Sequence, residues 1–384
     1  MDNLTHSLVG LAASKAGLEK LSPQTTLLCI LAANAPDSDI LALLFGGRWA
    51  FLKYHRGITH SIVGTLALVI ILPLIFYLID RLIARIRERQ FTVRLKGLII
   101  AGLSVSATHP LMDWTNSYGI RPLLPLSSQW VYGDLVFIVD PFLWLVFGSA
   151  CFLLTADSKL RLGFWLLLGL ILTYLVITVP RAGLGPVWVL RTSWIVAVIG
   201  LTVSFKLGAA KRWGRKIAIA ACLVVTLYWV CLAFLHRFAV EEARIEARAI
   251  AIQNGENITD VAAMPTLANP FQWQCVVETE HAAYRFDLSL AGKRGPVSSL
   301  VRYQRADTSD SPAVARAMQD TRARIFMGFA RFPVTSVIGA DCITETLVQF
   351  ADLRYTQPGN ARGTFSLELP VDCPSQDAQD EKDE

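Results

Sequence analysis

Long apolar runs, separated by short clusters of charged side chains, make up most of the first 235 residues of the chain. A helix that crosses a bilayer needs a run of roughly 17 to 25 mostly apolar residues. From Val240 onward, acidic and basic residues are spread through the sequence as in a globular domain. We therefore expect an all-α polytopic transmembrane helical bundle of six to eight segments, followed by a soluble α+β domain.

The segments and domains can be placed along the chain. Two less regular segments, which contain polar residues, precede six apolar runs. We expect a membrane domain over residues 1–238, an extracytoplasmic α+β domain over 239–375 and a disordered acidic tail over 376–384. The irregular segments are 4–16 and 26–45, and the runs are 62–79, 98–112, 135–154, 162–179, 193–207 and 217–235.

Two clusters of Lys and Arg, at 81–96 and 206–216, predict the orientation. Short basic loops are retained on the cytoplasmic side of the membrane. Counting crossings from the first cluster places the second one inside as well, without adjustment. We therefore expect a multi-pass protein of the bacterial inner membrane, with the carboxy-terminal domain on the periplasmic or extracellular side.

The soluble part alternates apolar and polar residues at 273–278, 284–290, 298–303 and 365–369, which predicts strands. A helical pattern begins near Ser311-Pro312, so an antiparallel sheet covered by a helix fits the order. The net charge of +5 is modest and its basic excess lies between apolar runs, which argues against nucleic acid as a partner. Among Cys275, Cys342 and Cys373 one pair is open to bridging, and the odd count leaves the pairing undecided.

Polar clusters rich in His and Asp lie in or beside the apolar runs. An ionisable side chain at membrane depth costs several kcal/mol unless it is paired, hydrated or metal-bound. Chance placement of so many is improbable, so we expect a functional site. The clusters are Thr5-His6-Ser7, Asn34 to Asp39, His55 to Ser61, His109 to Asp113, and Asp134 with Asp140-Pro141.

The spacing within the clusters indicates how their side chains are placed. His109 and Asp113 are four residues apart, which places them on one face of a helix, as in a metal-binding pair. Pro36 is expected to push Ala35 out of the helical region, so that Asp37 and Asp39 turn toward one cavity from a broken helix. The predicted orientation brings the pairs His55/His60 and His109/Asp113 to the same outer side.

Imidazole and carboxylate ligands suit Zn²⁺ best, with Mn²⁺ or Fe²⁺ as alternatives. Such an ion lowers the pKa of bound water toward ~7, which makes hydrolysis the natural chemistry. Asp37 or Asp39 would act as general base, and Arg56 would neutralise an anionic substrate such as a phosphoester. The candidate ligands are His6, Asp37, Asp39, His55, His60, His109 and Asp113.

Some of these residues also have plainer interpretations. His6 fits an interfacial or helix-capping histidine, and Asp37 and Asp39 fit helix caps after Pro36. Asp134 fits a loop acid and Asp140 a helix N-cap before Pro141.

The motifs resemble those of the YdjM/YfhP-type family of predicted membrane-bound metal-dependent hydrolases, a domain family of unknown function. The resemblance covers roughly residues 1 to 150. It implies a divalent metal and a hydrolytic activity. A weaker similarity to bacterial zinc-dependent phospholipase C implies phosphodiester or phospholipid substrates. The matching elements are His6 in an amino-terminal THS, the NxPDxD run ending at Asp39, HRGxTHS from His55 to Ser61, and HxxxD from His109 to Asp113 followed by Gly119.

Three functions remain open from the sequence. The first is a membrane-embedded hydrolase acting on a phosphoester or lipid-linked substrate among the membrane lipids. The second is an ion or solute transporter, because buried Asp and His also mark ion pathways; the motifs are not repeated in the second half of the membrane region, whereas transporters often contain internal repeats. The third is a non-catalytic membrane anchor that presents the outer domain to a partner.

Overall fold

The structure is a computed structural model of the chain and describes residues 1–179, 187–291, 299–339, 346–360 and 365–371. The chain forms two compact units. The short segment Ile40–His55 groups with the second unit, which the sequence did not predict. The first unit comprises Met1–Asp39, Arg56–Leu235 and Pro265–Pro270, and the second comprises Ile40–His55, His236–Met264 and Phe271–Glu384.

The helices follow the apolar runs of the sequence. In chain order they are α1 Asn3–Ala16, α2 Thr25–Asn34, α3 Ala42–Tyr54, α4 Ile62–Ile86, α5 Leu95–Ser106, α6 Thr108–Trp114, α7 Pro141–Thr155, α8 Lys159–Thr178, α9 Val187–Lys206, α10 Ala209–Trp213, α11 Lys216–Asn254, α12 Pro312–Ala317 and α13 Thr321–Phe329.

Within the described residues, six helical stretches are long and apolar enough to cross a membrane. The predicted membrane bundle is confirmed. The run predicted at 135–154 becomes a helix only from Pro141, because Asp140 caps its first turn. That helix, α7, has 15 residues and is shorter than the six stretches. The six are Thr25–Tyr54, Ile62–Ile86, Leu95–Trp114, Lys159–Thr178, Val187–Lys206 and Lys216–Asn254.

Close packing of α1 on its neighbours organises the first unit. A Cβ added at Gly10 of α1 would lie 2.5 Å from the carbonyl oxygen of Cys29 in α2. Only glycine therefore lets these two helices approach so closely. On another face of α1, Leu8 packs with Leu143 and Phe147 of α7 in the apolar core of this unit. Helix α1 is thereby held between α2 and α7.

The carboxy-terminal domain contains a sheet of seven described strands in sequence order. Neighbours from the second strand to the seventh pair antiparallel, with Cys275 opposite Phe286 and Val337 opposite Val348. The antiparallel sheet and the four predicted strand regions are confirmed. The strands are β1 Ile258–Thr266, β2 Asn269–Thr279, β3 Ala282–Ser289, β4 Val301–Arg305, β5 Pro333–Ile338, β6 Thr346–Asp352 and β7 Ser366–Val371.

The helical pattern after Ser311 forms two short helices, α12 and α13, instead of one. The chain turns between them, and the carboxylate of Asp320 accepts a hydrogen bond from the backbone N–H of Arg322 and so caps α13. Cys275 is buried as a free thiol. Cys342, Cys373 and the predicted tail over 376–384 lie outside the described residues.

Candidate metal centre

Four side chains converge in the first unit: Asp37, His60, His109 and Asp113. Each offers one ligand atom, and these atoms lie within 4.8 Å of one another. The Nε2 atoms of His60 and His109 are 3.1 Å apart. His60 Nε2 is 3.3 Å from an oxygen of Asp37 and of Asp113, and His109 Nε2 is 3.6 Å from the same two oxygens. We call these four residues the His/Asp group.

Two of its members come from α6, as the spacing predicted. His109 and Asp113 stand one turn apart on the same face of that helix. Asp37 comes from a 3₁₀ helix, Ala35–Leu41, that directly follows α2. The expectation that Pro36 pushes Ala35 out of the helical region is wrong, since Ala35 has φ −59° and ψ −36°. The α-helix is interrupted instead by a change to 3₁₀ geometry at Ala35, and Asp37 in this 3₁₀ helix still joins the group.

His60 is held by the turn that opens α4. It ends a short 3₁₀ helix, Ile58–His60, and the hydroxyl of Ser61 caps α4 by accepting from the N–H of Gly64. The turn folds back tightly, because a Cβ at Gly64 would lie 1.8 Å from the Ile58 carbonyl oxygen. Glycine at 64 therefore permits the conformation that presents His60 to the group.

The outer ring nitrogens of both histidines face hydrogen-bond acceptors. His109 Nδ1 lies 2.6 Å from the carbonyl oxygen of Ala33. His60 Nδ1 lies 3.3 Å from Asp39 Oδ2 and 3.1 Å from the Thr59 hydroxyl. A carbonyl only accepts, so the proton of neutral His109 resides on Nδ1, and the carboxylate of Asp39 favours the same tautomer in His60. The Nε2 lone pairs of the two rings then face each other.

Asp113 is surrounded by positive and hydrogen-bonding groups. The Nε atom of Arg56 lies 2.9 Å from its Oδ2, and His6 Nε2 lies 3.3 Å from its Oδ1. The amino group of Met1 also contacts Oδ1. These contacts fix the carboxylate, so Asp113 presents a defined oxygen to the two histidines.

Arg56 is buried, with 1% of its surface exposed, and its guanidinium is engaged by protein oxygens. One nitrogen donates to the side chain of Asn116 at 2.9 Å and to the carbonyl oxygens of Asp113 and Gly119 at 3.2 and 3.1 Å. The guanidinium also lies over the ring of Tyr118, 4.5 Å from its centroid. The contacts favour positioning of Asp113 as its role; binding of an anionic substrate stays a prediction.

The backbone at Arg56 has φ +52°, a left-handed conformation that residues with a side chain rarely adopt. Such strain is typical of positions that the surrounding structure holds for a purpose. Its N–H donates to Asp39 Oδ2 at 2.9 Å. Asp39 thus ties together the backbone of Arg56 and the ring of His60.

The other predicted site residues lie around the group or apart from it. The ring of His6 stacks on that of His109, with centroids 3.8 Å apart. His55 belongs to the second unit, where its ring stacks on Phe51 at 4.3 Å. Ligand roles for His6, Asp39 and His55 stay predictions. Asp140 is confirmed as a helix N-cap and also accepts from the hydroxyl of Tyr228 at 2.8 Å.

Sequence reasoning missed Asn116, which supports the site through its contact with Arg56. Asn116 links Arg56 to the turn that follows α6, and its Oδ1 also accepts from the backbone N–H of Tyr118 at 2.9 Å. The clue in the sequence is its position three residues after Asp113, one helical turn further along.

The fold and the site define a class: a polytopic membrane protein with a histidine and aspartate group at the ends of its helices. Residues 1–184 match the model of the family described as YdjM inner membrane protein. This match agrees with the YdjM/YfhP-type resemblance of the motifs over residues 1–184; it does not bear on a metal or on a hydrolytic activity.

One curated relative is an uncharacterized protein, YfhP, of Bacillus subtilis (strain 168). It is 29% identical over 155 residues, which is 38% of this chain and 43% of that protein. The match therefore covers less than half of the length of the relative. No solved structure matches the chain.

Proposed function

We propose that the protein is a membrane-embedded, divalent-metal-dependent hydrolase whose metal ligands are Asp37, His60, His109 and Asp113. The substrate class that the site suits is a phosphoester or a lipid-linked ester, because both reach a site built into membrane helices. The observation that carries the proposal is the approach of His60 Nε2 to His109 Nε2 at 3.1 Å.

Two imidazole lone pairs repel each other at that distance unless a cation lies between them. The outer nitrogens of both rings face acceptors, so a neutral ring that keeps its outer contact has no Nε2 proton to donate to the other ring. A divalent ion satisfies both lone pairs at once. Histidine ligands in metal sites generally donate their other N–H to a carbonyl or a carboxylate, as His109 does to Ala33 and His60 to Asp39.

The distances agree with a small tetrahedral ion. Ligand bonds of about 2.0 to 2.1 Å to a four-coordinate zinc ion place neighbouring ligand atoms about 3.3 Å apart. The five measured separations among the four residues are between 3.1 and 3.6 Å. Zn²⁺ is therefore the first candidate, and Mn²⁺ and Fe²⁺ accept the same donors.

The charges support a divalent ion as well. Two carboxylates, those of Asp37 and Asp113, lie beside two imidazoles; Asp113 is buried and Asp37 is 14% exposed. Arg56 and the amino group of Met1 offset the charge of Asp113, so the negative charge of Asp37 is the one that favours a cation. Four protein ligands fill a tetrahedral ion, so an ion bound here would act as a Lewis acid toward water or the substrate oxygen by accepting a fifth ligand or by releasing Asp37, the most exposed of the four.

The side chain of Asp37 provides the opening of the group. It is 14% exposed, whereas those of His60, His109 and Asp113 are at most 1% exposed. Asn3 donates to its second oxygen at 3.0 Å, which leaves this carboxylate oriented and still accessible. We assign to Asp37 the exchange of a proton with the attacking water, and to Arg56 and Asp39 the positioning of Asp113 and His60.

We further propose that hydrolysis takes place at the outer leaflet of the membrane. The basic clusters at 81–96 and 206–216 support this orientation, because short basic loops are generally retained on the cytoplasmic side. It would also place the carboxy-terminal domain on the periplasmic or extracellular side.

Ion transport is the second candidate. The change from α to 3₁₀ helix at Asn34 and Ala35 resembles the broken helices that build ion sites in transporters. Metal-dependent hydrolysis by purified protein in detergent separates the two functions, because transport requires a sealed membrane.

The test is elemental analysis of the purified protein, combined with hydrolysis of bis(4-nitrophenyl) phosphate and of phospholipid vesicles. We expect one divalent ion per chain and hydrolysis that a chelator abolishes. His109→Ala should lose both. The matched control is His281→Ala, which removes an exposed histidine of the second unit and should retain both.

The possible results separate the hypotheses. A stoichiometric ion that His109→Ala still binds would contradict the assigned ligands. An ion that is lost from His109→Ala, with no hydrolysis by either protein, would contradict the enzyme and favour a structural metal in a non-catalytic anchor.

A further inference from the structure

The first unit also contains a groove that has no part in the proposed hydrolysis. It lies between α1, α7, α8 and α9 and encloses a volume of about 220 Å³. Apolar cavities of about 150 Å³ already bind benzene-sized ligands. Its walls include Leu8 of α1 and three tryptophans, Trp144, Trp165 and Trp194. Among the described residues that line it, none is Asp, Glu, Lys or Arg.

The polar atoms of the tryptophans are already satisfied. The indole N–H of Trp144 donates to Asp2, that of Trp165 to Thr155 and that of Trp194 to Thr173, at 2.8 to 3.1 Å. Each indole therefore turns carbon atoms toward the groove and keeps no donor for a polar ligand. A ligand that gains from this lining must itself be apolar.

The surroundings of the groove identify the occupant. Helices α8 and α9 are two of the membrane-spanning stretches, and Leu166 and Leu170 at the rim are 57% and 69% exposed. In a bilayer, exposed leucines on such helices face hydrocarbon chains. An empty apolar cavity there forfeits dispersion contacts that a neighbouring chain supplies. The only apolar molecules present at molar concentration in that layer are lipids.

We infer that the groove binds one acyl chain of a bilayer glycerophospholipid. The site does not depend on the proposed hydrolysis, because α1 separates it from the His/Asp group. His6, which contacts Asp113, and Leu8, which lines the groove, are two residues apart and so lie on nearly opposite faces of that helix. A lipid in the groove would brace α7, α8 and α9 against α1.

Two glycines in the lining allow the groove to be filled. A Cβ at Gly169 of α8 would meet no atom within 4 Å, and one at Gly148 of α7 would meet only Leu8, at 3.9 Å. Gly169→Trp and Gly148→Leu therefore fill the groove from opposite walls. Gly163→Trp is the matched control, since Gly163 lies on α8 outside the lining and also has no atom within 4 Å.

The experiment is native mass spectrometry of the full chain purified in detergent and supplied with palmitoyl-oleoyl phosphatidylethanolamine. We expect wild type and Gly163→Trp to retain one phospholipid per chain under activation. Loss of contact with even two methylene groups weakens binding about tenfold, so both groove variants should retain about tenfold less.

Three results would overturn the inference. Wild type that retains no lipid has no such site. Equal retention in Gly169→Trp, Gly148→Leu and Gly163→Trp means that the lipid binds elsewhere. A dimer that the groove variants alone abolish would show that a second copy of the chain fills the groove.

Discussion

Two buried charged clusters, one in each unit, satisfy their electrostatics in different ways. In the carboxy-terminal domain, Arg354 donates twice to Asp352, at 2.8 and 2.6 Å, and once to the carbonyl oxygen of Phe329 at 2.9 Å. Both side chains are fully buried. In the His/Asp group, two carboxylates and two imidazoles meet, and in the tautomers that the outer contacts favour their facing atoms are all acceptors.

The difference shows which cluster needs a ligand. Arg354 and Asp352 compensate each other's charge, so this pair has what it needs within the fold. The His/Asp group offers one ligand atom from each of its four members, and we propose that a cation completes it. A buried charge cluster is thus a functional candidate when its own members cannot neutralise it.

The largest effect we expect is from Asp352→Ala. The change removes the carboxylate that compensates the buried guanidinium charge of Arg354, which typically costs about 3 to 5 kcal/mol. Pulse proteolysis of the purified full chain in urea should show this loss in the free energy of unfolding of the carboxy-terminal domain. The metal content should not change.

The matched control is Glu241→Ala, which breaks an exposed pair with Arg244. Exposed pairs contribute at most about 1 kcal/mol. The double variant Asp352→Ala/Arg354→Met should recover most of the loss. If Asp352→Ala destabilised the domain no more than Glu241→Ala, the idea that Arg354 and Asp352 compensate each other's charge would be contradicted.

Glu278 satisfies its electrostatics in a third way, because the fold favours its uncharged form. Burial raises its pKa from 4.5 to about 7, although Arg305 opposes this shift. The fold favours the protonated acid, so its contribution to stability is lost as the pH rises from about 4.5 to about 7. Glu278→Gln should therefore stabilise the domain by about 2 to 3 kcal/mol at pH 8 and by little at pH 4.5. Urea unfolding at the two pH values measures the difference.

Glu280→Gln, the same change at an exposed position, is the control and should shift neither curve. Equal stability of wild type and Glu278→Gln at pH 8 would mean that Glu278 carries its charge in the fold without cost.

Asp39→Asn should have the smallest effect of the three. The amide keeps the shape of the side chain but no longer holds the ring of His60 with a charge. Loss of such an outer partner typically weakens metal binding about 10- to 100-fold. Competition with a fluorescent zinc chelator measures the affinity, and Asp157→Asn, an exposed site, is the control. Complete loss of the ion would instead make Asp39 a direct ligand.

Local patterns in the sequence predicted much of the site. The spacing of His109 and Asp113 is a property of one helix. Counting the apolar runs predicted that the motifs would meet on the same side of the bundle. The role of Arg56 was not predictable, because its contacts with Asp113, Asn116 and Gly119 depend on a left-handed backbone at Arg56 itself, which a residue with a side chain rarely adopts.

In the soluble domain, too, local sequence patterns predicted only part of the structure. Strands with clear alternation were predicted, whereas β1, β5 and β6 were not. β6 is buried at six of its seven positions, so its apolar and polar residues do not alternate with exposure. The grouping of Ile40–His55 with the second unit is a tertiary property and leaves no periodic signal.

The most direct test of the central claim is X-ray absorption at the edge of whichever divalent ion the purified protein contains, with zinc expected first. The account predicts nitrogen and oxygen ligands at about 2.0 to 2.1 Å and the outer-shell scattering of two imidazoles, reduced to one in His60→Ala. An ion with sulfur ligands, or a spectrum that His60→Ala leaves unchanged, would contradict it.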